Sequence, residues 1–523
     1  MKKRKIDKNG IFFLCLFLVV GLGIISFHYV KNYKIRTSVP SSLYSKELKT
    51  DFDSIKGYPS IISTNDGYII SYTIDNKVIL NKIDKLGKKV KRISINGYSE
   101  YINDINLVND KNSYYVVFTT YIDGSKKIVE YNFDNSLNKI SEKNINSINN
   151  IIKIDGSSLV YTYDSKVVYK NFVENYSTDL NYKGIKMISG TKLEDGYYLL
   201  LMDLDGKVKV VKVENGKSEE KYSYLVNRSA NMEFKNIAAA ADDKNLYGLI
   251  EVDLKGEAKG VNILTIPKKG GNLSYKAFNV KNNNLFYNLI PVSSGDEAKF
   301  IGITNVPLAG GKYSEELTEF SIKHGATGNI INATRLDKIP YSPSYSVDSM
   351  IFLTNEGDNK LSLYITSKSD KFKEANNDVT SNEKELALTD TASGILTSFA
   401  YVFVLGIAWI LFGAVLIGFI TFFDWKKDNT KIDIMLYISY IITALFKTYI
   451  IYKTVYIRFE GSVNGFFSNP VYGCLASLLI SFVCFSFLIY RQRKDDDTMT
   501  FFLFFIPLLI DTILTQLLFV PYL

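Results

Sequence analysis

The chain has 523 residues, 46% of them hydrophobic and 14% aromatic, which excludes a disordered polymer and leaves room for two or three domains. Its formal net charge is +8, yet acidic and basic residues nearly balance across the long middle region, so the surplus sits at the N-terminus and near the C-terminal apolar segments. Without a basic stripe, nucleic acid is not an expected partner.

Residues 1–10, opening "MKKRK", read as a basic cytoplasmic N-terminus. Residues 11–30 are the first of five apolar runs of about 20 residues, the length a helix needs to cross a bilayer. The others are 395–423, 434–452, 471–490 and 501–520, so the chain reads as a multi-domain, multi-pass membrane protein. No A-x-A pair follows the first run, and Leu14 stands where a lipoprotein signal needs a small residue before Cys15, so 11–30 is expected to be an uncleaved signal-anchor.

Orientation follows from basic residues beside the runs. Lys2, Lys3, Arg4, Lys5 and Lys8 precede the first, against Lys31, Lys34 and Arg36 after it. Lys426, Lys427 and Lys431 follow the second, and Arg491, Arg493 and Lys494 follow the fourth, whereas the opposite loop carries Arg458. The N-terminus is therefore expected inside, with the middle region and C-terminus extracytoplasmic. All three cysteines, Cys15, Cys474 and Cys484, fall in apolar runs, leaving the exported region no disulfide to make. That absence, with abundant Lys, Asn, Ile and Tyr, points to a bacterium.

Between residues 58 and 366, short alternating or apolar runs are punctuated by Asn/Asp/Gly turns, the pattern of β-hairpins. One turn-then-strand unit recurs seven times, as in "NDGYIISY" at 65, "EDGYYLLL" at 194 and "VDSMIFLT" at 347. Its markers, Asp66, Asp110, Asp155, Asp195, Asp243, Asp296 and Asp348, stand 40 to 53 residues apart. Further turns follow in most units, including "DGSKK" at 123, "DSK" at 164, "DGK" at 205 and "NEGDNK" at 355, so that three turns separate four antiparallel strands.

Four-stranded units at this period resemble β-propeller blades, a likeness of fold and of no named family. It implies that residues 31–366 form an all-β extracytoplasmic domain of about seven blades, closed into a ring because each blade buries its faces only against its neighbours. The stretch 41–50, "SSLYSKELKT", is expected to supply the outer strand of the last blade as a latch. Trp-Asp endings and a docking tryptophan per blade are missing, since Trp409 and Trp425 lie in or beside the second apolar run. Two β-sandwiches in tandem remain the structural alternative. Residues 367–394 read as a polar, solvated stalk.

Candidate chemistry in the middle region is sparse. With His28 and His324 the only histidines and no cysteine outside the apolar runs, a zinc site lacks ligands, and His324 reads as a solvated loop residue. Acidic turns such as "DLDGK" at 203 lack the distal glutamate of a calcium loop and suit hairpin turns. No metal or other cofactor is expected. The many tyrosines suit sugar platforms but also half-buried strands.

The apolar runs say more. Lys447 in the third shares a helical face with Ser439 and Thr443, and Asp511 in the fifth lies beside Thr512, Thr515 and Gln516. At 1.5 Å per residue both ionisable groups stand about 15 to 20 Å above the inner ends of helices that run in the same direction. An intramembrane Lys447–Asp511 pair is therefore expected, with Thr443, Thr515 and Gln516 around it. The alternative for Lys447 is to snorkel outward, which Asp511 is too short to do. In the fourth run, Gly473, Ser477 and Ser481 form a small-residue stripe that reads as helix packing.

Together these features favour a membrane-anchored binding or scaffold protein. Its partners would be the lipid bilayer and another membrane or envelope protein, or a peptide or cell-surface glycan. Transmembrane signalling or transport through the Lys447/Asp511 pair is the first alternative, and an exported carboxylate-based hydrolase or lyase the second.

Overall fold

A computed structural model describes residues 8–50, 55–95, 102–122, 124–146, 149–163, 166–226, 232–254, 257–278, 285–307, 313–336, 338–357, 360–424, 429–458, 465–494 and 500–522. Lys2, Lys3, Arg4, Lys5, Lys426, Lys427, Trp425 and the turn residues Asp123, Asp164 and Asp358 lie outside the described residues. The chain divides into a β unit and a helical unit.

The β unit contains seven antiparallel four-stranded sheets. Six are meanders in chain order: blade 1 spans 56–95, blade 2 103–146, blade 3 150–180, blade 4 185–225, blade 5 232–277 and blade 6 287–332. Blade 7 takes three strands from 340–367, and its outermost strand is Leu48–Lys49, paired Leu48 to Ile365 and Lys49 to Tyr364. First strands of neighbouring blades face one another, so they line the axis of a seven-bladed propeller.

Burial explains the strand sequences. The second strand of a blade is covered by neighbours on both faces, and Gly67–Ile74 is correspondingly buried almost throughout. The fourth strand lies at the rim, where Lys217–Leu225 is largely exposed and rich in Lys and Glu, which also discourages edge pairing. Seven separate apolar clusters fill the seven interfaces between blades. The cluster between blades 6 and 7 includes Tyr44, just before the latch strand, whose hydroxyl donates to buried Glu319 at 2.5 Å. Ser45 N–H to Ser367 O (2.8 Å) and Thr50 N–H to Leu363 O (2.9 Å) extend the latch on either side of the paired residues.

All seven Asp markers fall at or beside the turn between the first and second strands, on one rim of the ring. In blades 2 and 3 the turn is held by an aspartate accepting from its own backbone, Asp110 from Asn112 N–H (2.7 Å) and Ser113 N–H (2.6 Å), and Asp155 from Ser157 N–H (2.8 Å). In blade 5 the residue that holds the turn is Asp242, one position before the marker.

The 367–394 segment, expected to be a polar, solvated stalk, is exposed over much of its length and largely helical. It contains helix α2 (Asp370–Asn376), whose Phe372 is fully buried in the cluster between blades 7 and 1, and the start of a long helix, α3 (Ser381–Val404). A reciprocal capping box of Thr380 and Glu383 starts α3. The polar composition concealed one anchoring phenylalanine and a T-x-x-E signature.

The helical unit comprises α1 (Lys8–Thr37), α3, α4 (Ile407–Asp424), α5 (Asn429–Ile451), α6 (Pro470–Lys494) and α7 (Thr500–Phe519). Among the described residues five spans, one formed by α3 with α4, are long and apolar enough to cross a membrane. The helical stretch that carries the second span starts at Ser381 and is interrupted near Gly406, where a Cβ would strike Val402 O and approach Thr512 Cγ2 to 2.7 Å; a glycine there lets the chain press against α7. A π-helical segment, Tyr452–Arg458, continues α5. Helix α7 is the most buried and touches α1, α3, α4, α5 and α6. Near one end of the unit, Arg36 Nε pairs with Asp390 at 2.7 Å and His28 Nε2 meets Leu517 O at 3.0 Å.

A buried lysine–aspartate centre as candidate functional site

Helix α5 presents Tyr440, Ala444, Lys447 and Ile451 at three- and four-residue steps, so one buried face runs along it toward α6 and α7. Lys447 and Asp511 both have zero exposure, and Lys447 Nζ lies 2.6 Å from Asp511 Oδ1. The amine also donates to Ser481 Oγ at 2.7 Å, Thr515 Oγ1 at 3.0 Å and, more weakly, Ser477 O at 3.3 Å.

The carboxylate is equally well served. Ser481 Oγ donates to Asp511 Oδ2 at 2.9 Å and Tyr440 OH does so at 3.4 Å, while Thr515 reaches Oδ1 at 3.4 Å. Ser481 and Thr515 thus accept from the ammonium and donate to the carboxylate, which closes the network. An ion pair deprived of water requires this, because the desolvation of both charges is offset only when the remaining donors and acceptors are used.

Of the site residues expected from sequence, Lys447, Asp511 and Thr515 meet directly. Thr443 does not join them; its hydroxyl donates to Ser439 O at 2.8 Å, within its own helix. Gln516 is buried and lines, with Thr515 and Trp409, a cavity of about 10 Å³. The stripe on α6 divides in function. Gly473 admits the Tyr456 ring, whose hydroxyl occupies the space a Cβ would need, so packing describes it well. Ser477 and Ser481 instead supply polar atoms to the pair, and Ser477 Oγ also meets Thr448 Oγ1 at 3.1 Å. Tyr440, seven residues before Lys447, was detectable from helical spacing but carries no charge to draw notice. Trp409 Nε1 donates to Thr512 Oγ1 at 3.0 Å, joining α4 to α7 beside the centre.

In the propeller, buried carboxylates act as clasps between blades. Glu130 of blade 2 binds Tyr161 OH (2.7 Å) and Lys170 Nζ (2.7 Å) of blade 3, and Glu251 of blade 5 accepts Asn288 and Leu289 N–H of blade 6 at 3.0 and 2.6 Å. His324 Nε2 lies 2.8 Å from Asp243 Oδ1, and with Asp242 these form a grouping of metal-ligand type. Asp242, however, is already engaged, accepting from Tyr247 OH (2.7 Å) and from His324, Asn245 and Lys244 N–H at 2.6 to 2.8 Å. Burial raises its pKa, but these hydrogen bonds prevail and hold it below the ordinary value.

The first strands of blades 1, 2, 3, 6 and 7 line an axial cavity of about 530 Å³. Among the described residues its lining has a single carboxylate, Asp155, which accepts from Ser157 N–H (2.8 Å), Ser157 Oγ (2.9 Å) and Ser158 Oγ (2.8 Å) in its own turn.

The sequence matches no protein-family profile and no curated protein. Similar solved structures include the N-terminal domain of Nup159, at 10% identity and TM-score 0.39 over 63% of this chain and 97% of that one. The WD40 domain of SCAP from fission yeast is similar at 9% identity and TM-score 0.35, over 61% and 85%. Likeness at this level carries no functional argument, and the seven-bladed fold rests on the sheet topology.

Proposed function

We propose that the protein is a membrane-anchored binding or scaffold protein whose propeller recognises a protein, peptide or glycan outside the cell. The observation that carries the anchoring is the inverted distribution in the helical unit. Leu14, Leu18, Leu22, Leu396, Phe419, Leu479 and Phe482 are exposed, whereas Lys447, Asp511, Ser477, Ser481 and Thr515 are buried. Such a surface is stable against lipid and unfavourable against water. The asymmetry of basic residues supports a cytoplasmic N-terminus, with the propeller and C-terminus on the other side. An axial cavity in which, among the described residues, Asp155 is the one lining carboxylate supports recognition over hydrolysis, since glycosidic chemistry needs two facing carboxyl groups.

Transmembrane transport has less support. The Lys447–Asp511 centre is enclosed, and the adjoining cavity of about 10 Å³ has room for about one water.

Two measurements test the proposal. The protein should resist alkaline carbonate extraction from membranes. With the native cysteines replaced, Lys217→Cys on the propeller should react with an impermeant maleimide in intact cells, and Lys494→Cys only after permeabilisation. Extraction into the soluble fraction, or the reverse labelling, overturns it. Crosslinking in the native membrane then identifies the partner.

A further inference from the structure

The axial cavity holds a lysine amine that, among the described residues, makes no direct ion pair. Lys153, on the first strand of blade 3, extends to the first strand of blade 1, where its Nζ donates to Ile61 O at 2.8 Å and Ser60 Oγ at 3.3 Å. Two of its three protons are thereby used, and Ser60 Oγ also accepts from Leu107 N–H at 3.1 Å. Among the described residues no carboxylate lies within ion-pair distance of Nζ. The nearest acidic side chain, Asp155, spends its Oδ1 on the turn at 157–158. The remaining lining is uncharged and polar over much of its area, with Asn106, Asn109 and Ser344 on the walls and Tyr345 beside them.

We propose that this cavity is a binding site for the oxyanion of a compact, hydroxyl-rich ligand, such as an acidic sugar, with Lys153 as its anchor. Three features converge on that chemistry. The volume of about 530 Å³ is that of a small-molecule site. A cation held by neutral acceptors leaves one donor for an anionic oxygen, the stronger kind of hydrogen bond. Amide and hydroxyl groups around it offer partners for ligand hydroxyls, beside apolar side chains such as Ile62, Ile105 and Ile290 that suit the faces of a sugar ring. Burial pushes the Lys153 amine down to about 8, with the nearby Asp155 carboxylate opposing.

This deepens the reading of the propeller as a recognition module and rests on it; anchoring is tested separately by extraction and labelling, so either can fail alone. The experiment is isothermal titration calorimetry of the purified full chain in detergent at pH 7, with glucuronate, glucose and inorganic phosphate as probes. Glucuronate is expected to bind at least about ten-fold more tightly than glucose, with phosphate competing for the same site. Lys153→Met should remove that preference and Lys153→Arg should keep much of it. Asn109→Asp, which adds an anion to the wall while leaving the lysine in place, should weaken glucuronate by a similar factor and leaves the proposal testable if Lys153→Met does not fold. Equal binding of glucuronate and glucose, no binding of either anion, or an undiminished preference in Asn109→Asp or a folded Lys153→Met protein overturns it. Phosphate binding without glucuronate binding overturns the sugar acid as ligand.

Discussion

Substituting Lys447 by Met removes the ammonium and keeps the volume of its stem, leaving Asp511 buried with three hydroxyl donors, Ser481, Tyr440 and Thr515. Two magnitudes bracket the outcome. An ordinary hydrogen bond between membrane helices contributes on average about 0.6 kcal/mol and reaches about 1.7. Breaking a desolvated ion pair from one side costs about 3–5 kcal/mol, because the orphaned charge remains. The three hydroxyls soften the loss, so Lys447→Met should cost about 3 kcal/mol, the low end of that range. Asp511→Leu should cost about as much, since it leaves the ammonium with only neutral oxygens. The double variant Lys447→Met/Asp511→Leu should lie within about 1 kcal/mol of the parent or exceed it, because no charge is stranded. Equilibrium unfolding of the purified protein in mixed micelles measures all three. A single-variant cost below about 1.7 kcal/mol, or a double-variant cost equal to the sum of the singles, refutes the account of a fully desolvated pair.

Other outcomes follow from the same geometry. Tyr44→Phe deletes the hydroxyl that reaches Glu319 and should cost about 1–3 kcal/mol in thermal unfolding of the propeller; an unchanged midpoint would mean the latch closes by strand pairing alone. Asp242 has a folded pKa below its unfolded value, so its contribution to stability is complete above the unfolded pKa near 3.8 and disappears as the pH falls through the folded one. Acid unfolding below about pH 4 should therefore be less steep in Asp242→Asn, which also loses stability at pH 7; identical slopes would contradict this. Gly473→Ala should displace Tyr456 from Phe467 O and destabilise by about 1 kcal/mol despite better helix propensity, and a stabilised variant would show the ring yields freely.

Legibility in the sequence differed between the units for physical reasons. Blade count and strand number could be read because a short polar turn carrying an aspartate recurs between the first and second strands, at one rim of every blade. Spacing could not separate Asp242 from Asp243, since two adjacent aspartates fit the turn pattern equally and only burial distinguishes them. Lys447 and Asp511 stood out because charge in an apolar run is costly. Their neutral partners did not: Ser481 is also the residue expected of a packing stripe, and its dual hydrogen bonding depends on where α5 and α7 approach it. Thr443 failed in the opposite sense, lying on the right face yet returning its hydroxyl to Ser439 O. Lys153 went unnoticed as one of many strand lysines, because the axial cavity that distinguishes it is built from five blades distant in sequence.

The geometry of the centre also bears on how the helical unit works. A transport path or a moving coupling element needs at least two arrangements of its charged groups that differ by a few kcal/mol. Here the ammonium and carboxylate share Ser481 and Thr515 as bridging hydroxyls, so separating them breaks the ion contact and strands both bridges together. At about 3–5 kcal/mol for one unpaired partner, the separated state would be populated at well under one percent without an external ligand. Helix α7, which carries Asp511 and touches five other helices, is then better described as the fixed core of the helical unit than as a gate. In the propeller the interblade carboxylates Glu130, Glu251 and Glu319 are committed to closing the ring, whereas Lys153, among the described residues, has no carboxylate within ion-pair distance and donates to Ser60 and Ile61 of blade 1.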